Sequence, residues 1–97
     1  MIQEVAILKI KPNMNQFEAA FRQASSIIAS MPGYVSHSLQ KCLEVDNQYL
    51  LLVNWQTLES HTISFRQSQQ YQTWKKLLHH FYDPFPIVEH YRNILNS

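Results

Sequence analysis

The sequence predicts an α+β domain: a four-stranded antiparallel sheet with two helices on one face, the ferredoxin-like split βαβ arrangement. Three observations predict it. Apolar residues alternate between strand-like runs and a helical period, in the order strand–helix–strand–strand–helix–strand. Chain breakers fall at the junctions, at Pro12, Pro32-Gly33, Asp46-Asn47 and Asp83-Pro84-Phe85-Pro86. The 97 residues suit one domain, residues 1–97, with no repeat, linker or low-complexity segment.

The first strand is expected from Ile2 to Lys11, around the apolar block Val5-Ala6-Ile7-Leu8 with charges at its ends, and Pro12 stops it. Asn13 is the expected cap of the first helix, with Gln16 three residues on as its capping-box partner. Phe17, Ala20, Phe21, Ala24, Ile27, Ile28 and Met31 then follow helical spacing. Pro32-Gly33 ends that helix, and Gly33, the only glycine, suits a turn with positive φ. Tyr34 to Glu44 alternates as a second strand, with Val35, His37, Leu39, Lys41 and Leu43 on one side. Asp46-Asn47 turns it into a third strand, Tyr49 to Trp55. The second helix is expected from Leu58, capped by Thr57, to Tyr82. Leu58, His61, Phe65, Ser68, Tyr71, Trp74, Leu78 and Phe81 share one of its faces. After a rigid connector, Ile87 to Leu95 reads as the last strand.

Composition narrows the function classes. Aromatics are 12% of the chain and charged residues 15%, so the core is rich and the surface thinly charged. A net charge of +1 with no basic stripe argues against nucleic acid. No apolar run approaches membrane-spanning length. The single Cys42 fits a reducing compartment, and the N-terminus lacks a signal-peptide pattern, so a cytoplasmic location is expected. Strands one and three are apolar on both faces, as Ala6-Ile7-Leu8 and Leu50-Leu51-Leu52-Val53 show, whereas a strand buried on one side alternates. A second copy packed against the open sheet face is the expected cover, giving a homodimer.

Met31-Pro32-Gly33-Tyr34, the junction Val53-Asn54-Trp55-Gln56-Thr57-Leu58-Glu59-Ser60-His61, and Phe65-Arg66-Gln67-Ser68 with Tyr71 and Trp74 resemble the antibiotic biosynthesis monooxygenase domain, a family of the dimeric α+β barrel superfamily. The resemblance covers nearly the whole chain. It implies a dimer with a small-molecule site, and among its activities cofactor-free oxygenation of anthrone-like or quinol substrates, haem degradation, and conversion of small phosphorylated signals. Fold alone does not choose among them. The haem-degrading type places a tryptophan and a histidine ten residues apart on the second helix and an asparagine on the first strand. Here Pro84 lies ten residues beyond Trp74, Gln69 and Gln70 lie ten before His79 and His80, and residues 2–11 contain no asparagine. The cofactor-free type places an asparagine four residues before the strand tryptophan, where this chain has Leu51.

The expected activity is cofactor-independent oxidation of a small aromatic or quinol-like compound, with no cofactor. His61, one turn into the second helix on its apolar face, is the candidate catalytic base, because such chemistry needs a phenol or enol deprotonated near neutral pH. The alternative is a helix-start histidine satisfied by a backbone carbonyl. Tyr71, Trp74 and Phe65 are expected to flank a planar ligand, or to be ordinary packing. Arg66 or Asn54 would orient its oxygen. Asn54 and Trp55 point to opposite sheet faces, so at most one lines a given cavity. His37 faces either the helices or the partner sheet. No metal site is expected, since adjacent His79 and His80 point apart and no carboxylate completes a set. The aromatic stretch His79 to Pro86 would rim the cavity or meet a partner. The competing reading is a non-enzymatic ligand-binding or structural dimer, favoured by Leu51.

Overall fold

The computed structural model describes residues 1–96. Four strands, β1 (Ile2–Lys9), β2 (Tyr34–Lys41), β3 (Gln48–Trp55) and β4 (Val88–Arg92), form one antiparallel sheet in the order β2-β3-β1-β4. Helix α1 (Phe17–Ala29) follows β1, and α2 (Gln69–Leu78) precedes β4. This is the expected ferredoxin-like topology. The sheet faces follow the period of two. Glu4, Ala6 and Leu8 of β1 and Tyr49, Leu51, Val53 and Trp55 of β3 point inward and are buried. Phe17, Phe21, Ala24 and Ile28 of α1 and Trp74 and Leu78 of α2 close over them from one side. Among the described residues, no helix is long and apolar enough to cross a membrane.

Several local expectations are corrected. The Asn13 cap does not form: α1 begins at Phe17, its N-cap is Gln16 without a side-chain bond, and Asn13 instead takes a left-handed turn with φ 65°. Asparagine tolerates that conformation well, and the loop uses it to turn. β1 ends at Lys9, and Ile10 forms only an isolated bridge to Tyr82. β4 is shorter than expected, leaving Ile94 and Leu95 exposed. In β2, a bulge between Tyr34 and Ser36 inserts Val35 as an extra residue. Val35 therefore turns outward, and Tyr34 rather than Val35 joins His37 and Leu39 on the inner side.

The second helix is not continuous. Thr57 does cap its start, accepting from the Ser60 backbone N–H at 3.1 Å. Residues Ser60–Phe65 then form a π-helical turn, closed by the Arg66 N–H on the His61 carbonyl at 3.2 Å. The chain breaks at Ser68, whose hydroxyl donates to the Phe65 carbonyl at 2.6 Å and accepts from the Tyr71 N–H at 3.1 Å. A serine that satisfies both groups ends one helix and caps the next. Ser68 is thus a cap and no member of an apolar face, and Leu58 is exposed. A short 3₁₀ turn, His79–Phe81, follows α2. The chain is then stitched to the end of β1 by Lys11 N–H to Phe81 O and Asp83 N–H to Lys9 O, each 2.9 Å. Gly33 has φ +83°, and a Cβ there would lie 2.7 Å from Ser60 Cβ, so the turn requires glycine.

The outer sheet face carries a strip of Val5, Ile7, Leu50 and Leu52, joined by the pairs Val5↔Leu52 and Ile7↔Leu50. Ile7 stays 51% exposed. Both faces of the two central strands are apolar, and this chain covers only one of them.

Candidate active site

A cavity of about 340 Å³ lies between the inner sheet face and the second helical segment. The sheet supplies Glu4, Ala6, Leu8 and Leu51. The π turn and its end supply His61, Phe65 and Arg66, and α2 supplies Tyr71 and Trp74. His79, Tyr82 and Phe85 close the remaining side. Five of the lining side chains are Phe, Tyr or Trp. Phe65 packs edge-on against Tyr71 at 5.2 Å and Trp74 at 5.7 Å, and Tyr82 and Phe85 meet at 6.0 Å. An aromatic-walled cavity of this size with a few convergent polar groups suits a small planar ligand.

Glu4 and His61 are the buried charged or polar side chains. Glu4 is placed by strand alternation, in phase with Ala6 and Leu8, opposite Val53 on β3 and His90 on β4. His61 enters from above through the π turn. Trp55 Nε1–H donates to Glu4 Oε1 at 2.9 Å, and His61 Nε2 lies 3.3 Å from the same oxygen. The other His61 nitrogen, Nδ1, is 2.8 Å from His90 Nε2. Trp55 and His61 stack at 5.5 Å and 20°.

Burial pushes the Glu4 carboxyl up from 4.5 to about 7, against the pull of the Trp55 hydrogen bond and the Arg66 charge. Burial pushes His61 down to about 3, with the Arg66 and His90 charges acting in the same direction. The 3.3 Å approach is therefore a contact between a neutral imidazole and a carboxyl poised at neutrality, not a fixed ion pair. Desolvation likewise lowers His90 and His79 and raises Tyr82. A carboxyl that changes charge near pH 7 inside an apolar site can take or give a proton under ordinary conditions.

The sequence candidates divide. His61, Phe65, Arg66, Tyr71 and Trp74 all line this cavity. Trp55 does not: it is 0% exposed, behind His61, and acts on the site only by holding Glu4. Asn54 is on the opposite sheet face, as alternation requires. There it bonds Ser36 at 3.0 Å and Gln3 at 3.4 Å and borders an open groove beside β4. It cannot orient a ligand in the inner cavity. His37 faces the helices but is cut off by Phe21, whose ring lies between it and Trp74. It bonds Tyr34 and Ser25 and borders a separate hollow between α1 and β2. No group of three or more side chains suited to a metal ion converges among the described residues.

His79, Tyr82 and Phe85 come from the stretch expected to rim the cavity or meet a partner, and they line it, whereas Glu4 and His90 were not among the expected site residues. Glu4 is the instructive one. Extending the Ala6/Leu8 phase back by one step puts it inward, but a carboxylate at a strand end reads as solvated. His90 is reached only through the β1–β4 register, which no local pattern encodes.

Residues 1–77 match the family model for antibiotic biosynthesis monooxygenase. The chain is 57% identical over 95 residues to the uncharacterized Bacillus subtilis protein YczJ, covering 97% of this chain and 100% of that one. Among solved structures it is similar to a Bordetella bronchiseptica protein carrying a provisional antibiotic biosynthesis monooxygenase assignment, with TM-score 0.92, 33% identity and 97% of each chain covered. It also shares its fold with SnoaB, a cofactor-independent oxygenase from Streptomyces nogalater. That match has TM-score 0.77 and 19% identity, and covers 99% of this chain and 97% of SnoaB.

Proposed function

Because the chain belongs to the antibiotic biosynthesis monooxygenase family, we propose that it is a cofactor-independent monooxygenase oxidising a small aromatic or quinol-like compound in the cavity between sheet and helices. The observation that carries this reading is the buried Glu4–His61 pair on the wall of a cavity otherwise lined largely by aromatic and aliphatic side chains. In such chemistry the substrate is itself the reductant. Removing a proton from a phenol or an acidic ring CH₂ leaves an anion that can give an electron to dioxygen. For an anthrone-like ring, CH₂ becomes C=O: one oxygen atom becomes the carbonyl oxygen on that ring carbon and the other leaves as water with the two hydrogens. The protein must accept a proton, return one to the peroxide, hold the ring and exclude water. The Glu4–His61 pair supplies the acid–base group. Phe65, Tyr71 and Trp74 supply the ring contacts, and Arg66 at the rim can meet an anionic oxygen.

Oxygen uptake by the purified protein with a panel of anthrones, quinols and catechols tests the reading. His61→Ala is expected to lower kcat by about 100-fold, the usual scale for losing acid–base assistance, with circular dichroism unchanged. Uptake indifferent to that change would remove the pair from the chemistry. A second reading, a ligand-binding protein without catalysis, is favoured by Leu51, which fills the cavity wall where the oxygenase-type pattern has an asparagine. Tight binding of a planar aromatic with no oxygen uptake across the panel would support it.

We further propose that the protein works as a homodimer through the outer sheet face. The strip of Val5, Ile7, Leu50 and Leu52 supports this, since contiguous exposed apolar surface is uncommon on monomers. Sedimentation should give a dimer, and Ile7→Lys should yield a folded monomer. A wild-type monomer at micromolar concentration would refute the assembly.

A further inference from the structure

We propose that Glu4, not His61, is the group that meets the substrate, and that His61 and His90 form a two-imidazole proton path joining Glu4 to solvent at the sheet edge. This rests on the oxidative reading above. Three observations carry it. First, both nitrogens of His61 are occupied, Nε2 by Glu4 at 3.3 Å and Nδ1 by His90 at 2.8 Å, so neither is free for a ligand. Second, Glu4 has an oxygen to spare. Oε1 accepts from Trp55 and lies 3.3 Å from His61 Nε2, whereas Oε2 accepts no hydrogen bond among the described residues. No buried side-chain polar atom there lacks a partner, so Oε2 is not sealed in and opens on the cavity that Glu4 lines. Third, the next group in the chain reaches water. His90 is on β4, one of the two edge strands of the sheet, and is only half-buried.

The proton count closes. The Glu4 carboxylate takes the substrate proton on Oε2, leaving the substrate anion. Turning of the carboxyl about Cγ–Cδ brings that O–H to His61 Nε2, which accepts the proton in its Nδ1–H tautomer as it passes its Nδ1 proton to His90 Nε2. His90 releases one to water. One proton leaves the substrate and one reaches solvent. Run backward, the same path delivers the proton that the peroxide needs. The groups facing Glu4 are Trp55 from β3, His61 from the π turn, His90 from β4, Arg66 at the rim, and Tyr71 and Tyr82 across the cavity. Of these only the two histidines form a continuous hydrogen-bonded line outward.

Two arms test the path, and the first needs no substrate. Imidazole nitrogen chemical shifts of the free protein, followed across pH, should show His61 and His90 both responding to one transition near neutrality, lost in Glu4→Gln. Histidine titrations unchanged by Glu4→Gln would overturn the path. The second arm follows oxygen uptake with dithranol, an anthrone. Glu4→Gln should lose about 100-fold or more in kcat. His90→Gln keeps a hydrogen bond to His61 but cannot relay, and should lower kcat several-fold at unchanged KM with a larger solvent isotope effect. His90→Ala should recover with added imidazole. Wild-type kcat and isotope effect in His90→Gln would overturn the relay. Absence of uptake by the wild type would count against the oxidative reading, and the shift titration would then decide the path alone.

Discussion

Replacing Trp55 with alanine is expected to destabilise the fold by about 4 kcal/mol, read as a lower urea midpoint at unchanged slope. Two losses add. The indole is 0% exposed and meets the Tyr34 ring at 6.2 Å, His61 at 5.5 Å and Phe65 at 5.8 Å, so its removal leaves a void between sheet and π turn. It also removes the donor on Glu4 Oε1, leaving a buried carboxyl short of a partner. Trp55→Phe separates the two, because it keeps a ring and drops the N–H. Its expected cost is about 2 kcal/mol, together with a Glu4 carboxyl pushed still higher, since the indole bond is the main influence holding it down. Equal stability of Trp55→Phe and wild type at all pH values would show that the bond contributes nothing.

Glu4→Gln is expected to stabilise the protein by about 3 kcal/mol in alkaline solution and by almost nothing near pH 4. The folded carboxyl titrates at about 7 and the unfolded one at 4.5. Between those values the folded state holds the extra proton, so stability falls as pH rises from 4.5 to 7 and stays low above. His61 works the other way. Its folded value of about 3 is below the unfolded 6.5, so stability rises with pH between them. In the wild type the two slopes cancel from 4.5 to 6.5, where folded Glu4 and unfolded His61 each hold one proton. Glu4→Gln keeps the accepting oxygen for Trp55 and leaves only the His61 slope. Its stability should climb to pH 6.5 and then hold. His37 and His79, also lowered by burial, lie outside the Glu4–His61–His90 line, contribute equally to both proteins and drop out of the difference. Denaturation curves at several pH values give the result directly. A difference that does not grow with pH would mean that Glu4 is not held above its ordinary value.

The fold was legible because its signals are local and agree with one another. The Phe17–Phe21–Ala24–Ile28 spacing, the Pro32-Gly33 turn and the Asn47 turn, at φ 58°, each specify their own neighbourhood. The candidate site was half legible for the same reason. Phe65, Tyr71 and Trp74 share a helical period, and the period brought them to one wall. What the sequence hid depends on register. Val35 was misplaced because a bulge has no signature in an alternating run. Ser68 sat at the right spacing for an apolar face and proved to be a cap. Glu4 and His90 are partners across a strand pair, 86 positions apart in the chain. Nothing near either residue announces the other.

The π turn at Ser60–Phe65 carries one residue more than a regular helix would need to cross the same span. Such a turn behaves in descent like a tolerated insertion: the segments on either side keep their orientation, and only the residues inside it are re-aimed. Thr62, Ile63 and Ser64 contribute little to the core, so losing one of them would leave β3 and α2 where they are. It would also swing His61 relative to Glu4. A one-residue gap opposite this turn in an aligned relative therefore says little about whether that relative keeps the scaffold, and a great deal about whether it keeps the chemistry.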